Sequence, residues 1–395
     1  MKIAVEMISA GSGFGRAAGA MVVYYSGLLQ RLVDVPSVDE CLLLVTPWND
    51  GLAIPDHPRA RPVTCTRLPR GRVGRIAYEQ TVLPTLALRH GAEVLLSTCN
   101  IKPEAWRRPS VVVLQSLQYL HFPASFGRVR STYLGQAVRR SVTTADVVIA
   151  VSEWERVQAI RHFGLDGSRV VAVHHGVSDD IAGMVASGAV PLRPAVAGDD
   201  PYLLMVSTLY GFKNHHRLIG AFAEVVRRHG VPHRLLIVGG DADVTRADLA
   251  AHADRLGVGD RVVLTGALPH HDVPALVAHA DAVVYPSLYE TFGMPVLEAL
   301  AFGRPLVTSD HGPMAELARG AAELVRAEDT GSIAAGVAAV LLNPRRREAL
   351  MAAGPDRASM FTWEACAAKT AGALELAVET HGQGARSPWA RAVGS

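Results

Sequence analysis

At 395 residues the chain exceeds one ordinary hydrophobic core and predicts two domains of conventional size. With 49% hydrophobic and 19% charged residues it reads as globular, and a net charge of +2 offers no general attraction for nucleic acid. Cys41, Cys65, Cys99 and Cys366 make no CxxC pair, no stretch of about 20 apolar residues is present, and "MKIAVE" enters a strand rather than a signal peptide, so a cytoplasmic protein is expected.

"KIAVEM" is the first predicted strand, and "GSGFGR" (11–16) follows it. Its glycines fall as GxGxG with Arg16 in the sixth position, so the dinucleotide fingerprint fails. A nicotinamide oxidoreductase is disfavoured accordingly. Gly13, Phe14 and Gly15 are candidates for a loop that touches phosphate or acceptor. Charge is uneven along the chain: residues 1–190 hold 20 basic and 15 acidic groups, the remainder 19 and 22. Six arginines and no acid lie between Arg59 and Arg75. A solvated loop is the plain reading of that stripe, with weak peripheral contact to a membrane or an anionic acceptor as the alternative. Among the 39 basic residues only Lys2, Lys102, Lys213 and Lys369 are lysines, which makes each internal lysine notable against an arginine-rich background.

Further apolar runs, "ECLLLVT", "AEVLLST", "SVVVLQ", "ADVVIAVS" and "SRVVAVHHG", alternate with stretches of helical spacing. The theme resumes at "YLLMVS", "RLLIVG", "RVVLTG", "DAVVYP" and "RPLVTS", after a proline-containing stretch at 187–201 that reads as a linker. Continuous apolar strands between helices predict buried parallel sheets in an α/β fold. In such sheets ligands bind beyond the carboxyl ends of the strands, and two such domains leave a cleft as the default site.

"YETFGMPVLEALAFGRP" (289–305) places Glu290 in a loop and Glu298 in the first turn of a helix opened by Pro295 and capped by Gly303. Backbone N–H groups of Phe292, Gly293 and Met294, with Thr291 beside them, would sit at the helix N-terminus as an anion site. Glu298 could accept both hydrogens of a ribose diol, and Glu290 would reach toward a reacting sugar. Two dipole-complementing acids are the plain alternative. "DAD" (241–243) invites a metal-binding DxD reading, disfavoured against ordinary loop acids, and the pairs His174–His175, His215–His216 and His270–His271 read as loop histidines. No metal site is expected.

"PSLYETFGMPVLEALAFGRPLVTSD" resembles the E-x7-E signature of the retaining glycosyltransferases of family 4. "ADVVIAVSEWERVQAI", "LMVSTLYGFKNHHRLIGAFAEV" and "LGVGDRVVLTGALPHHDVPALVAHADAVVYPS" agree with that family in order and spacing. The resemblance implies the GT-B fold, two Rossmann-like domains with parallel sheets facing each other across a cleft. It implies an acceptor domain over 1–186 and a nucleotide-sugar domain over 187–360. A helix at 361–379 would cross back to the first domain, and a flexible tail would occupy 380–395. It gives Glu290 and Lys213 to the reaction centre, Lys213 on the diphosphate, and Glu298 to the ribose. Thr208 stands where many relatives carry an arginine, and Gln115 where many carry a histidine, so hydrogen bonding or His121 must replace the latter. The implied activity is retaining, metal-independent transfer of a sugar from a nucleotide-diphosphate sugar to a hydroxyl acceptor, with no cofactor. A disaccharide phosphorylase or sugar-phosphate synthase of the same fold is the near alternative, and a non-catalytic nucleotide-sugar-binding protein the distant one.

Overall fold

The computed structural model describes residues 1–8, 18–46, 54–66, 68–69, 71–188 and 191–381, apart from the side chains of 18–20, 72, 124 and 270. The chain divides into two units, the first made of residues Met1–Gly176 and the segment from Thr362 onward, the second of Val177–Phe361. Among the described residues no helix is long and apolar enough to cross a membrane.

In the first unit seven strands run β1 Lys2–Glu6, β2 Glu40–Val45, β3 Ala60–Thr64, β4 Val94–Ser97, β5 Ser110–Leu114, β6 Val147–Ala150 and β7 Val170–Ala172. They pair in parallel in the order β3-β2-β1-β4-β5-β6-β7. All four residues of β4 and of β6, and all five of β5, are buried, as expected of strands covered on both faces. Ala4, Leu42 and Leu95 pack with Tyr78, Leu83 and Ala87 of the helix Arg72–Arg89, while Val112 and Val148 pack with Val138, Ala159 and Phe163.

Six strands form the second sheet: β8 Tyr202–Val206, β9 Arg234–Val238, β10 Val262–Gly266, β11 Ala282–Tyr285, β12 Leu306–Ser309 and β13 Glu323–Val325, in the parallel order β10-β9-β8-β11-β12-β13. Both units are Rossmann-like, the fold class read from the sequence.

Two strands depart from the sequence reading, and both are edge strands. Part of the arginine stripe forms β3, whose exposed Arg61 and Pro62 an edge tolerates because one side of the backbone needs no partner. Arg59 donates to the carbonyls of Val33, Val35 and Val38, and Arg61 pairs with Glu40 at 3.5 Å, so these arginines hold their own unit together. The short β13 has no apolar run to announce it.

The domain division also falls ten residues before the expected end at 186. The helix Asp179–Ser187 buries Ile181 and packs against the helix Met294–Ala301 of the second unit. The expected linker is tied to the same unit: His279 Nε2 donates to the Pro191 carbonyl at 2.7 Å, and Arg193 lies over the Tyr202 ring. Val177 N–H donates to the Phe361 carbonyl at 3.1 Å, which fastens the two ends of the second unit to each other. Beyond it, the helix Trp363–Thr380 packs on the helix Ala18–Leu32 of the first unit.

Candidate active site

In the second sheet the strand order reverses between β8 and β11, which are hydrogen-bonded neighbours. The crevice beyond the carboxyl ends of such a pair is where open α/β sheets take ligands. The loop after β8 ends in a 3₁₀ turn, Gly211–Lys213, and the loop after β11 carries Glu290.

The loop after β11 is held by a run of hydrogen bonds. Thr308 donates to the carbonyl of Tyr285 at 2.8 Å, Asn214 to Pro286 at 2.9 Å, Ser309 to Ser287 at 2.6 Å and His311 to Leu288 at 3.1 Å. Leu288 N–H donates to the Phe212 carbonyl at 2.8 Å, so the two loops are bonded directly. Asn214 adds a bond to the Ala327 carbonyl at 2.7 Å and sits in the left-handed region at φ 71°, which asparagine tolerates better than most residues. The loops after β8 and β9 also meet closely: a Cβ on Gly239 would lie 1.8 Å from the Ser207 carbonyl oxygen, so only glycine fits.

These contacts bring Lys213, Tyr285 and Glu290 together. The Lys213 ammonium pairs with Glu290 Oε1, and the Tyr285 hydroxyl donates to the same oxygen at 2.6 Å. Lys213 Nζ also donates to the Tyr285 oxygen at 3.2 Å and lies 5.3 Å from the Phe212 ring centroid. The Lys213 and Glu290 side chains are 12% and 7% exposed, a depth at which an ion pair needs further hydrogen bonds to offset its desolvation. Tyr285 supplies one. Burial first, and the Glu290 charge second, hold the Tyr285 phenol well above its ordinary pKa, so it stays a donor.

Beside the cluster, Gly293 at φ 104° precedes the helix Met294–Ala301, with Pro295 as its second residue. Glu298 is therefore the fifth residue and lies in the second turn, not the first as the sequence reading had it. The helix starts one residue before the proline because the left-handed Gly293 turns the chain there. The left-handed Gly303 follows its last turn, and Gly303 and Arg304 N–H groups donate to the Leu300 and Ala299 carbonyls at 2.9 Å. Glu298 and Phe292 are buried, while Thr291 and Met294 are half-buried at the start of the helix.

The remaining predicted residues are placed differently. Thr208 opens the loop after β8, and its carbonyl accepts from Tyr210 N–H at 2.8 Å. Gln115 belongs to the first unit at the carboxyl end of β5, where its backbone N–H donates to Asn100 Oδ1 at 2.7 Å and its buried carboxamide nitrogen has no partner among the described residues. Gly13, Phe14 and Gly15 lie outside the described residues. Burial lowers the pKa of His121, whose ring lies 6.2 Å from Trp154.

Asp243 accepts from Gly211 N–H at 2.8 Å, bracing the turn that carries Lys213, and Asp241 accepts from Arg246 Nε at 3.1 Å. Of the histidine pairs, His215 is buried against Ser207 Oγ at 2.9 Å while His216 stacks edge-on to His252, and His175 packs on Trp363. The two members of the His215–His216 pair thus turn to different surroundings. Tyr285, Asn214, Ser309 and His311 were missed in the sequence. Asn214, directly before a helix, carried a readable cap signal, whereas Tyr285 reads as strand core.

The chain matches a family model described as "Glycosyl transferases group 1" over residues 193–357 and one described as "Glycosyltransferase Family 4" over residues 43–181. It is 27% identical over 270 residues to the O-antigen chain mannosyltransferase B of Escherichia coli, covering 68% of this chain and 70% of that protein. It is 32% identical over 320 residues to the D-inositol 3-phosphate glycosyltransferase of Geodermatophilus obscurus, covering 78% and 65%. With the alpha-D-kanosaminyltransferase of Streptomyces kanamyceticus it shares 31% identity over 206 residues, 51% of this chain and 53% of that one. The fold is that of the sucrose-phosphate synthase of Thermosynechococcus elongatus, with a TM-score of 0.73 at 20% identity over 94% of this chain and 98% of that one. Anabaena HepE in complex with UDP-glucose gives a TM-score of 0.66 at 19% identity, over 95% and 99%. Two family models in tandem, one on each unit, and a Rossmann-like sheet in each lead to one assignment: the chain belongs to the group 1 glycosyltransferases, with the GT-B fold.

Proposed function

We propose that this glycosyltransferase moves a sugar from a nucleotide-diphosphate sugar to a hydroxyl acceptor, with retention of anomeric configuration and without a metal, in the cytoplasm. The observation that carries the reading is the Lys213–Tyr285–Glu290 cluster at the ends of β8 and β11, beside the N-terminus of the helix that holds Glu298. Lys213 exchanges Glu290 for the diphosphate and neutralises it as the bond from the anomeric carbon to the phosphate oxygen breaks. The acceptor oxygen bonds to that carbon on the same face, and its proton passes to the departing phosphate oxygen. Glu290 faces the donor sugar and Glu298 the ribose, with Thr208 and residues 291–294 around the phosphates. The acceptor is assigned to the first unit, where the orphaned amide of Gln115 offers a donor. The UDP-glucose bound by the Anabaena protein of like fold agrees with a nucleotide-sugar partner. Four cysteines without a disulfide among the described residues suit a reducing compartment.

The test is a pair of variants. Glu298→Ala should weaken nucleotide binding by about 1.5–3 kcal/mol in calorimetry, the worth of hydrogen bonds to a charged group, while Glu290→Gln should keep the affinity and lower kcat. Unchanged affinity in the first, or full turnover in the second, rejects the assigned roles. Metal independence is checked separately. Chelator should leave turnover in place, as should the double variant Asp241→Asn, Asp243→Asn, since asparagine keeps the acceptors that brace Gly211 and Arg246. Turnover lost on chelation and restored by Mg²⁺ or Mn²⁺ would overturn it.

A phosphorylated acceptor is the second reading, favoured by the Geodermatophilus relative named for D-inositol 3-phosphate. Turnover assays with neutral and phosphorylated sugars as acceptors separate the two.

A further inference from the structure

Away from the carboxyl strand ends, the first unit holds a cavity of about 370 Å³. It lies at the amino ends of β5 and β6, where Ser110 opens one strand and Asp146 precedes the other. Gln115 and Asn100 stand at the opposite edge of the same sheet. Lys102, one of the few lysines in an arginine-rich chain, lines this cavity at 4% exposure. Its backbone is fixed by Ser141 Oγ at 3.0 Å and Gln80 Nε2 at 3.3 Å, yet no hydrogen bond or ion pair reaches its ammonium among the described residues.

Four basic side chains, Lys102, Arg107, Arg108 and Arg140, line the cavity against two carboxylates, Glu104 and Asp146; Arg107 and Arg108 each spend one donor on a backbone carbonyl, of Glu104 and Ala92, and keep others. Both carboxylates are already engaged. Asp146 accepts from Ser110 N–H at 2.8 Å, Ser110 Oγ at 3.1 Å and His381 Nδ1 at 2.9 Å, and Glu104 accepts from Arg140 at 3.2 Å. Burial lowers the Lys102 pKa despite these two acids, so they do not fully compensate its charge. The Lys102 stem is buried while its ammonium opens on the cavity with no protein acceptor among the described residues, and a cavity with an excess of two positive charges is matched by a dianion bearing several acceptor oxygens.

We propose that this cavity is a binding site for a phosphate-class dianion, inorganic phosphate or a phosphomonoester, with Lys102 as its buried anchor. The site is separate from the proposed diphosphate site at Lys213, which belongs to the other unit, and does not depend on that reading. The experiment is calorimetric titration of the full chain with inorganic phosphate and with glycerol 1-phosphate, at constant ionic strength and without nucleotide. The native chain and Lys213→Ala should bind one equivalent alike. Lys102→Met should weaken binding by about tenfold or more, and Arg140→Gln, at an exposed position, several-fold, as expected for losing charged contacts to one ligand. Tighter binding of the ester than of inorganic phosphate would assign a phosphorylated metabolite, and the reverse order the free ion. Should Lys102→Met fail to fold, Arg140→Gln decides. Absence of saturable heat, heat lost in Lys213→Ala, or equal binding by all variants (an adventitious ion only) would overturn the proposal.

Discussion

Every hydrogen bond of the Glu290 side chain among the described residues ends on Oε1, where Lys213 and Tyr285 converge. On the proposed function the other oxygen faces the donor sugar. When Lys213 moves to a diphosphate, the Tyr285 hydroxyl alone would hold the carboxylate in place, so Tyr285 is a positioning residue for Glu290. Tyr285→Phe should therefore lower kcat by about tenfold, the worth of one hydrogen bond to a charged group, with the nucleotide dissociation constant nearly unchanged. Steady-state kinetics with calorimetry on the same variant check this, and an unaltered kcat would remove Tyr285 from the role. Lys213 was singled out in the sequence by the family resemblance of its loop, and as a lysine in an arginine-rich chain. Tyr285 was not, because a tyrosine ending an apolar run is indistinguishable from core until the loop folds back over it.

Among the elements, the helix Trp363–Thr380 is seated by its first residue and buries Cys366, Thr370, Leu374 and Ala377 farther along. A Cβ on Gly27 would lie 2.1 Å from the Trp363 ring, and one on Gly176 would lie 2.5 Å from the Trp363 backbone nitrogen. Both glycines thus leave the space that Trp363 fills, and His175 stacks on the indole at 5.8 Å. Arg31 adds an ion pair to Glu364 at 3.0 Å. Removing the helix would empty a core position of the first unit, so a chain ending after Met360 should lose cooperative melting and turnover. A chain ending after His381 should keep both, because it retains the bonds from His381 to Asp146 and the Arg107 carbonyl. Circular dichroism melts and an activity assay on the two truncations decide; a shorter chain that melts like the full one would refute the anchoring. The expected tail at 380–395 lies outside the described residues beyond His381. A helix here was legible from its apolar spacing, but its socket was not, since Gly27 and Gly176 are remote from Trp363 in the chain.

For the whole molecule, buried titratable groups set opposing slopes of stability against pH. Burial pushes His175 and His215 down to about 3 from 6.5, so each stays neutral in the fold and takes up a proton only on unfolding. Their contribution is lost as pH falls from 6.5 toward 3. Burial and the nearby Glu6 charge push Glu79 up to about 8 from 4.5 against the opposing pull of Arg75, whose Nε lies 3.3 Å away, so the fold favours its protonated form relative to the unfolded chain. Its contribution is lost as pH rises from 4.5 toward 8. His121, His162, His216 and His233 are lowered in the same direction, so the histidines outweigh Glu79 on the acid side, and Glu79 opposes them above 6.5; the melting temperature should peak near pH 6.5. Glu79→Gln should flatten the alkaline side, and a decline above that pH that persists in this variant would refute the assignment.

By itself the sequence determined two βα series, their parallel sheets, and the loop positions of Lys213 and Glu290, because continuous apolar runs and glycine or proline boundaries are local signals. It also marked the helix that carries Glu298, though with its start at Pro295, one residue after the observed Met294. Only the tertiary structure decided which edge strands complete the sheets, where one unit ends, and which side chains share a site. Those outcomes depend on pairing between distant segments. The strand reversal between β8 and β11 puts Lys213 and Glu290 side by side across 77 positions of sequence. Side-chain donors from Asn214, Thr308, Ser309 and His311 then lock the loop through backbone carbonyls, which every residue has and no local pattern distinguishes.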